Sequence, residues 1–330
     1  LEFQKPAASH GRRSGAFQFV ENPTAKALDL SLGIAYMRLM MSVSGQPFLK
    51  MHGAGNDFVV LDLRRASLRV DGPLARTLAD RQKGVGCDQV ISLEPSERGD
   101  VYMRIHNPDG SEAQACGNGT RCVASLLFAE SGLDHVVIET RAGLLAGRRA
   151  GDGLIEIDMG PAYLEWHDIP LAREMDSLCL DLSFQPDQGP ALSAPCAVGM
   201  GNPHAVFFVD DMTAIDIANV GPALEHHEMF PERANIGFVQ VLGQDQLRLR
   251  VWERGAGLTL ACGSGACAAL VAAHRRGKCG RRAHLQLDGG EMTVEWRDGD
   301  GHVLMSGGVA TAYSGVLDDS LMGLAARPAA

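Results

Sequence analysis

Short apolar blocks separated by polar turns recur along the chain between residues 48 and 310. FVVLDL (58–63), QVISLE (89–94) and VYMRIH (101–106) have the length and composition of strands. AVFFVD (205–210), IGFVQV (236–241) and LRLRVW (247–252) repeat that order later in the chain. Each trio is followed by a small glycine loop, ACGNGTRC (115–122) or ACGSGAC (261–267), and then by an Ala- and Leu-rich stretch. Both stretches predict helices that are apolar on most sides and therefore buried. Gly277, preceded by His274, Arg275 and Arg276, has the chemistry of a helix C-terminus. Further strands follow: VVIET (136–140) and LIEIDM (154–159), then HLQLD (284–288), MTVEWR (292–297) and HVLMSG (302–307).

The two loops are in register at a fixed offset, 262 − 116 = 146. That shift lays Asn56 over Asn202, Gln89 over Asn235 and Asn107 over Glu253, and IEIDMGPA (155–162) matches VLMSGGVA (303–310) with a slip of two. Several polar landmarks in one register indicate a duplication, with repeat cores near 48–162 and 194–310. Strands before and after one buried helix predict a curved, mostly antiparallel sheet rolled around it. The fold class is α+β, with two pseudo-symmetric domains and a site in the cleft between them. Regular β-α-β alternation, which a doubly wound parallel sheet needs, is missing. The expected boundaries are 41–162 for the first domain and 163–307 for the second, with 308–320 a candidate to return to the first. Residues 1–40 show no clean period and are read as an extension, non-native or disordered; 321–330 form a tail.

Composition narrows the function. With 330 residues, 45% of them hydrophobic, the chain can bury two ordinary cores. No apolar run approaches the ~20 residues that span a bilayer, so no membrane role is expected. A net charge of −10 without a basic block argues against nucleic acid. The eight cysteines are spread widely and form no CxxC pair, which points to reduced thiols in a cytoplasmic protein.

Cys116 and Cys262 each stand just before the opening of a predicted helix. The first-turn N–H groups there lack intrahelical partners, and the helix dipole adds positive potential, so a carboxylate is welcome. Glycines let the backbone approach the ligand, and Asn118 or Ser264 adds side-chain bonds. The same setting is expected to lower a thiol's pKa from ~8.5 towards neutrality. Two such loops on facing domains would hold one carboxylate with a sulfur on either side of its α-carbon, an arrangement suited to stereoinversion. No metal or other cofactor is required. Cys122, Cys267, Cys179, Cys196 and Cys279 are expected to be buried and inert. Gly263, Gly265 and Ala268 satisfy a GxGxxA dinucleotide pattern with Asp288 beyond it, but the βαβ unit that pattern needs is absent and the loop at 117 is left unexplained. His226, His227 and Glu228 look like loop or helix-end residues, not a metal cluster.

With those residues set out, the sequence resembles the diaminopimelate epimerase family from about 48 to 318. The resemblance is carried by KMHGAGNDFVVLD, RQKGVGCDQVI, NPDGSEAQACGNGTRC, GNPHAVFFVDD, LEHHEMFPERANIGFVQV and ERGAGLTLACGSGACAA, in that order. It implies cofactor-independent epimerisation of LL-2,6-diaminopimelate to the meso form, with Cys116 and Cys262 as the acid/base pair. It further implies that Gly117, Asn118, Gly263 and Ser264 hold the reacting carboxylate, and that Glu253 and the Arg254 carbonyl take its ammonium group. Asn56, Asn107, Asn202, Asn235 and the Arg254 guanidinium would hold the distal end, with Gln89 lining the pocket and His204 supporting it. A homodimer is implied as well. The alternatives of another class of substrate or role are a proline or hydroxyproline racemase-like isomerase, and a non-catalytic amino-acid-binding or redox protein. Two positions depart from the usual family pattern: His106-Asn107-Pro108 replaces aromatic-Asn-Ala, and Ser264 stands where Thr is common.

Overall fold

A computed structural model of the chain describes residues 45–321, so the expectations for residues 1–40 and 322–330 lie outside the described residues. The first copy is built from strands Gln46–Gly53, Asn56–Asp62, Gln89–Glu94, Val101–His106, His135–Thr140, Gly143–Arg149 and Ile155–Pro161. It carries two helices, α1 (Gly72–Ala79) and α2 (Gly117–Ser131). The second copy runs through Cys196–Gly199, Pro203–Phe208, Asn235–Gly243, Gln246–Glu253, Arg282–Leu287, Gly290–Trp296 and His302–Gly307, with helices α3 (Ile217–Glu225) and α4 (Gly263–Arg275).

Pairing follows the same order in both copies. Two neighbours in each are parallel, because a helix or long loop intervenes between them. In the first copy these are Asn56–Asp62 with Gln89–Glu94 and Val101–His106 with His135–Thr140; the other pairings are antiparallel. The offset survives as register. Phe58 lies opposite Gln89 and His204 opposite Asn235, and 204 − 58 = 235 − 89 = 146. Strand Ile155–Pro161 pairs with His302–Gly307 and joins the two sheets into one. The segment after each copy's last strand then edges the other copy's first strand. Ala310–Leu317 pairs with Gln46–Gly53, and Tyr163 bridges to Gly199.

Each sheet wraps one helix. In α2 every residue from Gly117 to Phe128 is buried, and in α4 ten residues are buried, half of them alanine. Small side chains let the sheet close tightly on α4, where Leu270 and Val271 are fully buried among Leu247, Leu249, Leu285 and Val294. Each such aliphatic side chain contributes about 1.5–3 kcal/mol by leaving water. A left-handed Gly132 at φ 72° stops α2, a conformation open to glycine at little cost. The shorter α1 and α3 lie outside the wrapped cores. Asp71 caps α1 by accepting from the Leu74 N–H, and α3 packs on Trp252, leaving no room for a side chain at Gly221. Among the described residues, no helix is long and apolar enough to cross a membrane.

Candidate active site

The two wrapped helices point their N-termini at a common centre. A Cβ placed on Gly117 would lie 2.6 Å from Met305 Cε, and one on Gly263 would lie 3.1 Å from Met305 Sδ. One methionine on the joining strand therefore touches both helix starts, and glycine at each start is what admits it. Between them Asn118 crosses from one copy to the other. Its Nδ2 donates to the Ala261 carbonyl at 3.4 Å, one residue before Cys262, and to Asn56 Oδ1 at 3.3 Å.

Both cysteines are helix N-caps. Cys116 Sγ accepts from the Gly119 N–H at 3.5 Å, and Cys262 Sγ accepts from the Gly265 N–H at 3.3 Å. Extended backbone at each cap turns the sulfur back over the first turn. Both are free thiols. The expected fall in thiol pKa is not what the surroundings produce. Burial pushes Cys116 up to about 11, and the Gly119 N–H only partly offsets it. Cys262 is pushed well above the ordinary thiol value by burial and by the nearby Glu253 carboxylate. A helix end is worth a fraction of a kcal/mol to ~2 kcal/mol, whereas removing a thiolate from water costs more, so the dry site wins.

The remaining predicted residues fall into four contact groups. Around Cys116, its thiol donates to Asn56 Oδ1 at 3.6 Å, while Asn56 Nδ2 donates to Asp88 Oδ2 at 2.9 Å. Around Cys262, Ser264 Oγ lies 3.7 Å from the sulfur and accepts from Asn202 Nδ2 at 3.5 Å. His204 Nε2 donates to Asn202 Oδ1 at 2.9 Å; the ring is buried, and burial holds it neutral with its pKa down at about 3. Glu253 is hydrogen-bonded by Thr259 and neighbours Cys262; burial raises its carboxyl above the usual range. In the third group, Asn235 donates to the Pro203 carbonyl at 3.1 Å and accepts from the Arg254 N–H at 2.9 Å. The Arg254 guanidinium donates to the Glu232 carbonyl at 2.9 Å. Gln89 Nε2 donates to Asn107 Oδ1 at 2.9 Å, a pair with no direct bond to either cysteine among the described residues.

Sequence reasoning missed the residues behind these groups. Asp88 also pairs with Arg81, which in turn pairs with Asp57, and Lys50 closes that network on Asp57. Opposed charges hold the Asp57 carboxyl far below the usual range, although burial pulls the other way. Glu225, in the LEHHE stretch, accepts from the Trp252 indole at 2.7 Å and the Gly255 N–H at 3.0 Å, bracing the loop that carries Glu253 and Arg254. The signal for Asp88 was its place in GVGCDQ beside Gln89; Glu225 had no signal beyond its motif.

Duplicated sheets, each wrapped around a cysteine-capped helix, define a two-domain α+β fold. A probable proline racemase from Agrobacterium radiobacter shares it with a TM-score of 0.60 at 17% identity, the match covering 83% of this chain and 93% of that one. The family is narrower. The profile of the family described as Diaminopimelate epimerase matches residues 48–165 and 196–312. A diaminopimelate epimerase from Acidiphilium cryptum (strain JF-5) is 57% identical over 279 residues, covering 84% of this chain and 99% of that protein. One from Rhodospirillum centenum is 57% identical over 277 residues, covering 83% of this chain and 93% of that protein. The chain belongs to the diaminopimelate epimerase family.

Proposed function

We propose that the chain interconverts LL- and meso-2,6-diaminopimelate by two bases, Cys116 and Cys262. In one direction the thiolate of one cysteine takes the α-proton, and the electron pair left on carbon delocalises into the carboxylate held at the helix ends. The thiol of the other cysteine then delivers its proton to the opposite face. The two sulfurs end with their protonation states exchanged, which readies the site for the reverse reaction. The observation that carries this reading is the shared centre of two cysteine-capped helices, bridged by Asn118.

The division of the remaining roles follows substrate chemistry. An α-carboxylate seated on the N–H groups of Gly117, Asn118, Gly263 and Ser264 gains charge in the transition state, and these donors strengthen as it does. Glu253 and the Arg254 carbonyl accept from the adjacent ammonium group. A substrate with a second amino-acid end needs a second set of donors and acceptors, which Asn56, Asn107, Asn202, Asn235 and the Arg254 guanidinium supply. Gln89 fixes Asn107, and His204 fixes Asn202. The raised thiol pKa values fit a base that becomes competent when the substrate's ammonium group meets Glu253 and offsets its charge in the neighbourhood of Cys262. The proposal extends to a cytoplasmic homodimer of two-domain protomers, 41–162 with 308–320 and 163–307, which is what family membership supports.

Turnover of LL-diaminopimelate, followed by loss of the α-proton signal in deuterated water, tests the substrate. Exchange in proline and none in diaminopimelate would overturn the choice in favour of the racemase-like alternative.

A further inference from the structure

Arg121 is the largest fully buried side chain among the described residues. The other buried charges have partners of opposite sign. Lys50 pairs with Asp57, Glu156 with Arg148, and Glu225 with Arg233. Arg121 has none among the described residues. Its Nη2 donates to Asn118 Oδ1 at 2.9 Å, its Nη1 lies 4.0 Å from Met292 Sδ, and its Nε has no acceptor. A guanidinium offers five N–H donors and stays charged, so an unpaired one in the interior costs several kcal/mol.

The surroundings are shaped to this head group. A Cβ on Gly53 would lie 3.3 Å from Arg121 Nη2, and one on Gly307 would lie 3.2 Å from Arg121 Cζ. Glycines on strands of both copies thus leave the space that the guanidinium fills. The duplication sharpens the point. At the offset of 146, 121 + 146 = 267, and the equivalent residue is Cys267, also fully buried. Among the described residues, the acidic groups that act on Arg121 are the thiols Cys122, Cys116 and Cys267. One charge serves a centre that two copies share.

We propose that Arg121 is a positioning residue for the reaction: it fixes Asn118 and supplies the positive charge behind the two helix ends against which the substrate's carboxylate and its carbanionic form are stabilised. By accepting Arg121 on its oxygen, Asn118 is bound to turn its NH2 towards Asn56 and Ala261, across the domain boundary. The missing countercharge is the substrate's own. This rests on the two-base reading above, and it adds a sign that a packing role would not give. Removing an unpaired buried charge should leave the fold as stable or make it more so, while removing catalytic power.

The test uses the full chain with LL-diaminopimelate, comparing Arg121→Met, which keeps most of the stem, with Arg121→Lys, which keeps a charge but loses the planar fork. Arg121→Met is expected to lower kcat by about a hundredfold or more, to move KM by less than about threefold, and to melt at or above the wild-type temperature. Arg121→Lys is expected to fall between the two in kcat. A kcat for Arg121→Met within about fivefold of wild type overturns the proposal, as does a loss of kcat that tracks a lowered melting temperature in both variants. Wild-type turnover is the control: no turnover there fails the two-base reading itself, whereas normal turnover with an unaffected Met variant fails only the role of Arg121.

Discussion

Asn56 and Asn202 occupy equivalent turns, 202 − 56 = 146 residues apart, and are held in opposite senses. Asp88 is an acceptor only, so it takes the Asn56 amide and leaves the oxygen facing Cys116. His204 donates to the Asn202 oxygen and leaves the amide facing the Ser264 hydroxyl, which lies 3.7 Å from the sulfur of Cys262. Neither device exists in the other copy. Phe58 stands where His204 would be (204 − 146 = 58), and Ala234 stands where Asp88 would be (88 + 146 = 234). Duplication thus fixed where the polar groups sit, and substitution behind them fixed which way they point. The Cys116 side ends on an acceptor that favours a protonated sulfur; on the Cys262 side an amide donor meets Ser264, while the Glu253 carboxylate lies beside the sulfur.

The comparison breaks most completely at the sulfurs. Cys116→Ala and Cys262→Ala are each expected to lower turnover by about 10⁴-fold or more while diaminopimelate still binds, measured by steady-state rates and calorimetry. Retained epimerisation in either variant would show that the copies are not two halves of one acid/base pair.

The orienting residues come next. Asp88→Ala and His204→Phe, each of which installs the other copy's residue, are expected to slow turnover by roughly 10- to 100-fold, with the two active-site amides free to turn. Melting temperatures separate this from a loss of fold. Rates unchanged in both variants would mean that amide orientation does not matter.

The pH dependence is expected to be of similar size per unit. Folded-state pKa values of the Cys116 and Cys262 thiols lie above the ordinary value, Cys116 at about 11. The thiolate needed as base therefore grows as pH rises, and kcat/KM of the free enzyme should climb up to about tenfold per unit between about pH 6 and 9. Stability runs the other way. Buried Cys87, Cys122 and Cys267 have pKa values raised to about 12, so their contribution is complete below the ordinary thiol value and is lost as pH rises towards 12. A flat rate profile would contradict the dry-site account of the thiols.

A smaller effect is expected where the turns of the two copies meet. A Cβ on Gly289 would lie 2.1 Å from the Ala54 carbonyl oxygen, whereas Gly143, its equivalent at 289 − 146, has nothing within 4 Å. Gly289→Ala should cost about 1–3 kcal/mol in urea unfolding by forcing these turns apart. Ser264→Thr, which keeps both the backbone N–H and the hydroxyl, is expected to change kcat by less than about twofold.

The architecture was legible because it is written twice. Apolar blocks, the offset of 146 and two cysteines before helix starts could be read without coordinates, and the strand register repeats that offset. What was not legible depends on burial. The sequence TRCVASLL gives Arg121 the look of a helix-surface residue, and only the wrapped sheet shows its head enclosed between glycines. The thiol shift was misjudged for the same reason: helix ends are visible in sequence, while the dryness that outweighs them is not. Asp88, Glu225 and Thr259 act through other side chains and left no pattern of their own.

The two-base claim is tested most directly by early-time turnover of LL-diaminopimelate in deuterated water, with the isomers separated and the α-position of each analysed by NMR. Two sulfurs on opposite faces predict deuterium in the meso product from the first turnovers, while the unreacted LL isomer keeps its protium. Equal early labelling of both isomers would mean one base serving both faces, and would contradict the account.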